Sequence, residues 1–118
     1  MKTIATLSVS GALLIANLFA ADPAASSYKL ECSVVEEHDK IIQCTFSSVR
    51  LATDRQITFK WKSDTTPQDD RERTFILPAG HGSVYDYRFY YGRAPGLWNV
   101  STVNDNGDVL SETSFTLE

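Results

Sequence analysis

Tyr28-Lys-Leu-Glu-Cys-Ser-Val-Val-Glu-Glu-His-Asp-Lys-Ile-Ile-Gln-Cys-Thr-Phe-Ser-Ser-Val49 contains two β-rich runs, Tyr28 to Val35 and Lys40 to Val49, around the polar Glu36-Glu37-His38-Asp39. Folded as a hairpin centred on His38, the stretch sets Cys32 opposite Cys44, Val34 opposite Ile42 and Leu30 opposite Phe46. Side chains alternate between the faces of a strand. Leu30, Cys32, Val34, Ile42, Cys44 and Phe46 therefore share one face, and every member is apolar. The other face holds Glu31, Ser33, Val35, Ile41, Gln43 and Thr45, mostly polar. Cysteine register and apolar alternation are independent cues, and they select the same hairpin.

Cys32 and Cys44 are the only cysteines of the chain. A disulfide between them closes a loop of about a dozen residues and contributes roughly 2–3 kcal/mol. A redox or metal role fits poorly, because the spacing is not Cys-x-x-Cys and only His38 and His81 could complete a metal set.

Upstream, residues 1–20 read as a signal peptide. Lys2 supplies the positive start, Leu7 to Phe19 a mild apolar run, and Ala20-Ala21 the small residues a signal peptidase needs. Spanning a bilayer takes roughly 20 apolar residues. This run is shorter and is broken by Ser8, Ser10, Gly11 and Asn17, so no stable membrane insertion is expected after cleavage. Cys32 lies too far past the run, behind Leu-Glu, to carry a lipid anchor. Residues 21–27 are small, polar and contain a proline, and are expected to form a disordered lead-in. That leaves residues 28–118 as one domain, exported to the periplasm or secreted. The chain carries a formal charge of −4. Loss of Lys2 with the leader makes the mature protein one unit more negative, which argues against nucleic acid or an anionic membrane as partner.

Beyond the hairpin, Gln56 to Lys62 alternates strictly, with Ile57, Phe59 and Trp61 on one side and Thr58, Lys60 and Lys62 on the other, a half-buried antiparallel strand. Ser63 to Asp70 is a polar loop. Arg71 to Leu77 is a strand that stops at Pro78, and Ala79 to Ser83 is a turn. Val84 to Tyr91 is strand-like and aromatic. Leu97 to Asn104 and Val109 to Leu117 flank Asn106-Gly107, a strong hairpin signal. A two-residue turn there sets Trp98 opposite Phe115 and Val103 opposite Leu110. Leu110 and Phe115 are five apart, so one regular strand cannot hold both on one face, and a bulge or sheet switch is expected. Seven short strands with turns near every ten residues and no helical periodicity point to a β-sandwich or small barrel, and the fold expected is an all-β, seven-stranded antiparallel sandwich.

Trp61 on the third strand, Gly96-Leu-Trp-Asn-Val, Asn106-Gly107, Leu110 and Phe115-Thr-Leu resemble the immunoglobulin/fibronectin-III-like sandwich. The ending is similar to the last hairpin of many bacterial immunoglobulin-like domains, which commonly act as accessory or adhesive modules. The resemblance covers most of the mature domain, but its motifs are generic. The cysteines depart from the antibody pattern, because they join neighbouring early strands and leave the two sheets untied. Fold likeness of this kind carries little functional weight.

Catalysis needs a converging constellation, and the chain has no Gly-x-Ser-x-Gly elbow, metal-ligand cluster or phosphate-binding glycine loop. No catalytic residue, metal or cofactor is assigned. His38 and His81 fall in turns. Asp69-Asp70 beside Arg71-Glu72-Arg73 reads as a solvated loop and strand start. Asp86 and Arg88, two apart, read as a surface ion pair or a strand–loop tie. Asn99-Val100-Ser101 fits a glycosylation pattern, but inside a predicted strand.

Tyr85, Tyr87, Phe89 and Tyr91 share one strand face, with Val84, Asp86, Arg88 and Tyr90 on the other. A small domain needs large apolar groups, which favours the first set as core. The alternative is an exposed aromatic strip, extended by Trp98 and by Arg93 in the Gly92 to Gly96 loop, suited to stacking on sugars or anchoring a protein. The function expected from these features is a non-catalytic interaction module: an accessory subunit, adhesin-like unit or inhibitor that binds another exported protein. The rival is a carbohydrate- or small-ligand-binding domain using Tyr85, Tyr87, Tyr91, Arg93 and Trp98.

Overall fold

In the computed structural model, which describes residues 24–118, the first hairpin forms in the register that its cysteines and apolar positions dictate. The expected leader and residues 21–23 lie outside the described residues. β1 (Lys29–Glu36) pairs antiparallel with β2 (Lys40–Ser47), setting Leu30 against Phe46, Cys32 against Cys44 and Val34 against Ile42. Cys32 and Cys44 are disulfide-bonded across this pair, so the bond joins neighbours within one sheet. Leu30, Ile42, Cys44 and Phe46 are buried, whereas Val34 is exposed.

The other strands are β3 (Arg55–Ser63), β4 (Arg71–Leu77), β5 (Ser83–Phe89), β6 (Gly96–Val103) and β7 (Val109–Leu117). They complete a seven-stranded antiparallel sandwich of two sheets, ordered β1-β2-β5 and β4-β3-β6-β7. Alternation in β3 turns Ile57, Phe59 and Trp61 inward, where they meet Leu77, Trp98, Val100 and Leu117 of their own sheet and Leu30, Ile42, Cys44 and Phe46 of the other. Phe115 meets Trp61 edge-on and stacks on Trp98.

The last hairpin keeps Trp98 opposite Phe115, but its turn is longer than two residues. The Asn104 side-chain carbonyl accepts from the backbone N–H of Asn106 and of Asp108. Gly107, at φ 86°, donates to the Asn104 backbone carbonyl. Val103 therefore faces Val109 and not Leu110, with a register shift between Thr102 and Val103. That shift is the bulge which the odd spacing of Leu110 and Phe115 requires, and both side chains pack against the core. The expected disordered lead-in is also corrected at its end. Ala24 is buried, residues 25–27 form a 3-10 turn, and the Ser27 hydroxyl donates to the Ala24 carbonyl and accepts from the Val49 N–H.

The main correction concerns β5, which ends at Phe89 and faces the opposite way from the expected one. Tyr85, Tyr87, Phe89 and, just past the strand, Tyr91 are 54, 40, 55 and 73% exposed. Asp86 and Arg88, read as a surface ion pair or a strand–loop tie, are 1 and 7% exposed, so the surface reading is overturned. The cause is register. Phe46 lies opposite Val84, Cys44 opposite Asp86 and Ile42 opposite Arg88. Directly opposed residues share a face, and Ile42, Cys44 and Phe46 are already committed to the core. The hydrophobicity of β5 itself is overruled by its neighbour.

Replacing both cysteines by serine should lower stability by about 2–3 kcal/mol, because the reduced chain regains the loop entropy the bond removes. Urea unfolding of the double variant checks this, and an unchanged midpoint would refute a stabilising role for the bond.

Candidate functional site

An inward β5 places a carboxylate in the core, and the surrounding strands supply its partners. The Trp61 indole N–H of β3 donates to Asp86 Oδ2 at 2.8 Å. Arg71, the first residue of β4, donates from one terminal nitrogen to both Asp86 oxygens at 3.1 Å and to the Tyr87 carbonyl at 2.8 Å. The Tyr87 N–H donates to Asp86 Oδ1 at 2.9 Å, and Arg73 lies 3.6 Å from the same oxygen. A buried carboxylate is tolerated when its oxygens are held this way.

Arg88 reaches toward the loop before β4. It donates to the Asp69 backbone carbonyl at 2.6 Å and to Asp69 Oδ1 at 3.1 Å. The strand–loop tie was thus legible for Arg88, but Asp86 and Arg88 pair with other residues and not with each other. Arg93 bonds Asp69 Oδ1 at 3.0 Å, and the Ala94 N–H donates to Asp69 Oδ2 at 2.8 Å. The Arg88 guanidinium lies between 5 and 6 Å from the ring centres of Trp61 and Trp98. Burial, then the charge of Arg93, lowers the Arg88 pKa from its ordinary value; Asp69 opposes this and Arg71 adds to it.

On the outside of β5, Tyr85, Tyr87 and Phe89 project from alternate positions next to Thr45, Gln43 and Ile41 of β2. Tyr87 and Phe89 meet nearly at right angles, 84° between planes. Beyond the strand, Tyr90 donates its N–H to the Lys40 carbonyl, and the Lys40 ammonium lies 4.0 Å above the Tyr90 ring. β5 is an edge strand. At its centre both backbone groups of Tyr87 are taken, the N–H by Asp86 and the carbonyl by Arg71. An incoming strand would have to break those bonds, which blunts the edge against strand addition.

Of the residues expected to form a binding strip, Tyr85 and Tyr87 lie on this exposed face, and Tyr91 is exposed just past the end of the strand. Trp98 does not. It is 1% exposed, stacks on Phe115 and donates its indole N–H to the Ala94 carbonyl. It lies in the core because β6 is an inner strand whose Trp98 and Val100 face the opposite sheet. Arg93 joins the Asp69 cluster and lines a cleft of about 240 Å³ with Arg71, Arg73, Tyr87, Arg88 and Phe89. The sequence reading did not single out Arg71 and Arg73 as site residues. Their clue was composition, since four of the eleven cationic residues fall within Arg71 to Arg93. His81 is exposed in the turn after β4, at the far end of that strand from Asp69-Asp70, and its backbone carbonyl accepts from Arg55. Among the described residues no helix is long and apolar enough to cross a membrane. The disulfide is consistent with an oxidising, extracytoplasmic location.

No family model matches the chain, and no curated protein matches it. Among solved structures it is similar to the GH3 beta-glucosidase of Bifidobacterium adolescentis, at 11% identity and a TM-score of 0.40. That likeness covers 75% of this chain but 16% of that one. It is too distant to carry function.

Asp86→Ala would leave Arg71 and the Trp61 indole without their shared buried acceptor, and should cost about 3–5 kcal/mol. Urea unfolding followed by tryptophan fluorescence reads the loss; a midpoint equal to that of the parent would show that the cluster stabilises nothing.

Proposed function

We propose that this domain is a non-catalytic, exported binding module that recognises another exported protein through the outer aromatic face of β5. The observation that carries the reading is the exposure of Tyr85, Tyr87, Phe89 and Tyr91 on one edge of a small sandwich. Aromatic side chains contribute large contact area at small entropic cost, and tyrosine is enriched at the centres of protein interfaces. The strand has inward positions for Val84, Asp86 and Arg88 while its largest rings face outward. Exposed aromatic side chains grouped together often mark interaction surfaces in small proteins.

The architecture fits an immunoglobulin/fibronectin-III-like module of the accessory, adhesin-like or inhibitor kind. Placement of β4 beside β3 departs from the constant-type immunoglobulin arrangement, in which the fourth strand pairs with the fifth. A periplasmic or secreted location agrees with the disulfide. A carbohydrate ligand is the second reading, supported by the same exposed rings. The near-perpendicular packing of Tyr87 and Phe89 offers no common flat platform for a run of sugars, which favours a protein partner.

Tyr85→Ser combined with Tyr91→Ser removes two exposed rings without touching the core. Native pull-down of the mature protein from the exported fraction should recover a stoichiometric partner, and the double variant should lose it. Undiminished recovery with the variant excludes the strip as the binding face. Neither tryptophan lies on the strip, so a glycan panel is best read by NMR shifts of β5. Saturable glycan shifts without any protein partner would favour the carbohydrate reading.

A further inference from the structure

Charge around the β4–β5 seam does not balance. Arg71, Arg73, Arg88 and Arg93 converge there, and the carboxylates that meet them are those of Asp69 and Asp86. Both carboxylates are heavily engaged already. Asp86 takes bonds from Trp61, Arg71 and the Tyr87 N–H; Asp69 takes Arg88, Arg93 and the Ala94 N–H. Two positive charges are therefore left over, in a protein whose overall charge is −4. The excess is focused on one cleft of about 240 Å³, whose lining of Arg71, Arg73, Tyr87, Arg88, Phe89 and Arg93 includes no acid.

Donor capacity is in excess as well. Four buried Nε–H groups have no acceptor among the described residues, and three of them, those of Arg71, Arg88 and Arg93, belong to side chains that line the cleft, the fourth being that of Arg55. Arg88 is itself 7% exposed, so most of its guanidinium is held out of solvent beside the cleft. The lowered Arg88 pKa, caused by burial and then by Arg93, agrees with crowding of like charge.

We propose that this cleft receives a carboxylate side chain of the partner protein. A guanidinium fork matches the two oxygens of a carboxylate. The rings of Tyr87 and Phe89 at the rim provide an apolar wall for the methylene stem of a glutamate or aspartate. Long polyanions are disfavoured by the net charge of −4. The identification of the carboxylate source as a protein rests on the reading of the aromatic face above, since Tyr87 and Phe89 belong to both the strip and the cleft.

The test is a titration of the ¹⁵N-labelled mature protein, observing the arginine Nε–H signals, with tetraglutamate as the acidic peptide. Signals of Arg71, Arg88 and Arg93 should shift saturably, and Arg73→Gln should weaken binding about tenfold, the effect of one lost charge-assisted hydrogen bond. Tetraglutamine should cause no shift. Absence of Nε shifts with tetraglutamate overturns the carboxylate site, as does a response to inorganic phosphate alone. Succinate binding as tightly as tetraglutamate would assign the cleft to a free small acid and overturn the protein source. Tyr85→Ser with Tyr91→Ser should leave the tetraglutamate response unchanged, because neither ring lines the cleft. Failure of the strip and failure of the carboxylate site are therefore separate results.

Discussion

Asp86 is the point on which the two sheets depend. The disulfide ties β1 to β2 within one sheet and does not cross-link the two sheets. The bond from Trp61 on β3 to Asp86 on β5 crosses between them, and Arg71 adds a second crossing from β4. A hydrogen bond between two groups buried this deeply is worth keeping because each would be costly to bury alone. The indole needs an acceptor, the carboxylate needs cationic donors, and one site satisfies both. The same group also occupies the Tyr87 N–H, so the anchor of the core helps close the edge strand to addition.

A second consequence runs outward. Once β5 gives its inward positions to Asp86 and Arg88, its aromatic residues have nowhere to go but the surface. An exposed strip and a buried ionic cluster are thus two sides of one strand. Arg88 extends the cluster to Asp69, which in turn holds Arg93 and the Ala94 N–H. The loops before β4 and after β5 are fastened to each other in this way, and the arginine cleft lies where that fastening meets the aromatic rim.

Much of the first hairpin and of the last was legible in the chain itself. Cys32 with Cys44 and the apolar alternation around them specify one register, and the five-residue spacing of Leu110 and Phe115 requires the irregularity found beside Val103. Ile57, Phe59 and Trp61 declare their own inward face. The same reasoning failed on β5 because it assumed that the more apolar face is the buried one. It failed on Trp98 for a related reason. A tryptophan beside a glycine-rich loop looks like a rim residue until β6 is known to be an inner strand.

What sequence alone determined were properties of residues close along the chain: strand alternation, hairpin register, the cysteine pairing and the count of seven strands. These follow from the period-two geometry of extended backbone and from short turns, which neighbours in sequence control. Only the tertiary structure decided which way β5 faces, because that depends on its pairing with β2, some forty residues earlier. It also decided that Asp69, Arg71, Arg73, Asp86, Arg88 and Arg93 gather at one seam. No local pattern encodes such a meeting; it arises when two sheets close over Trp61 and buried charges take the partners that burial brings within reach.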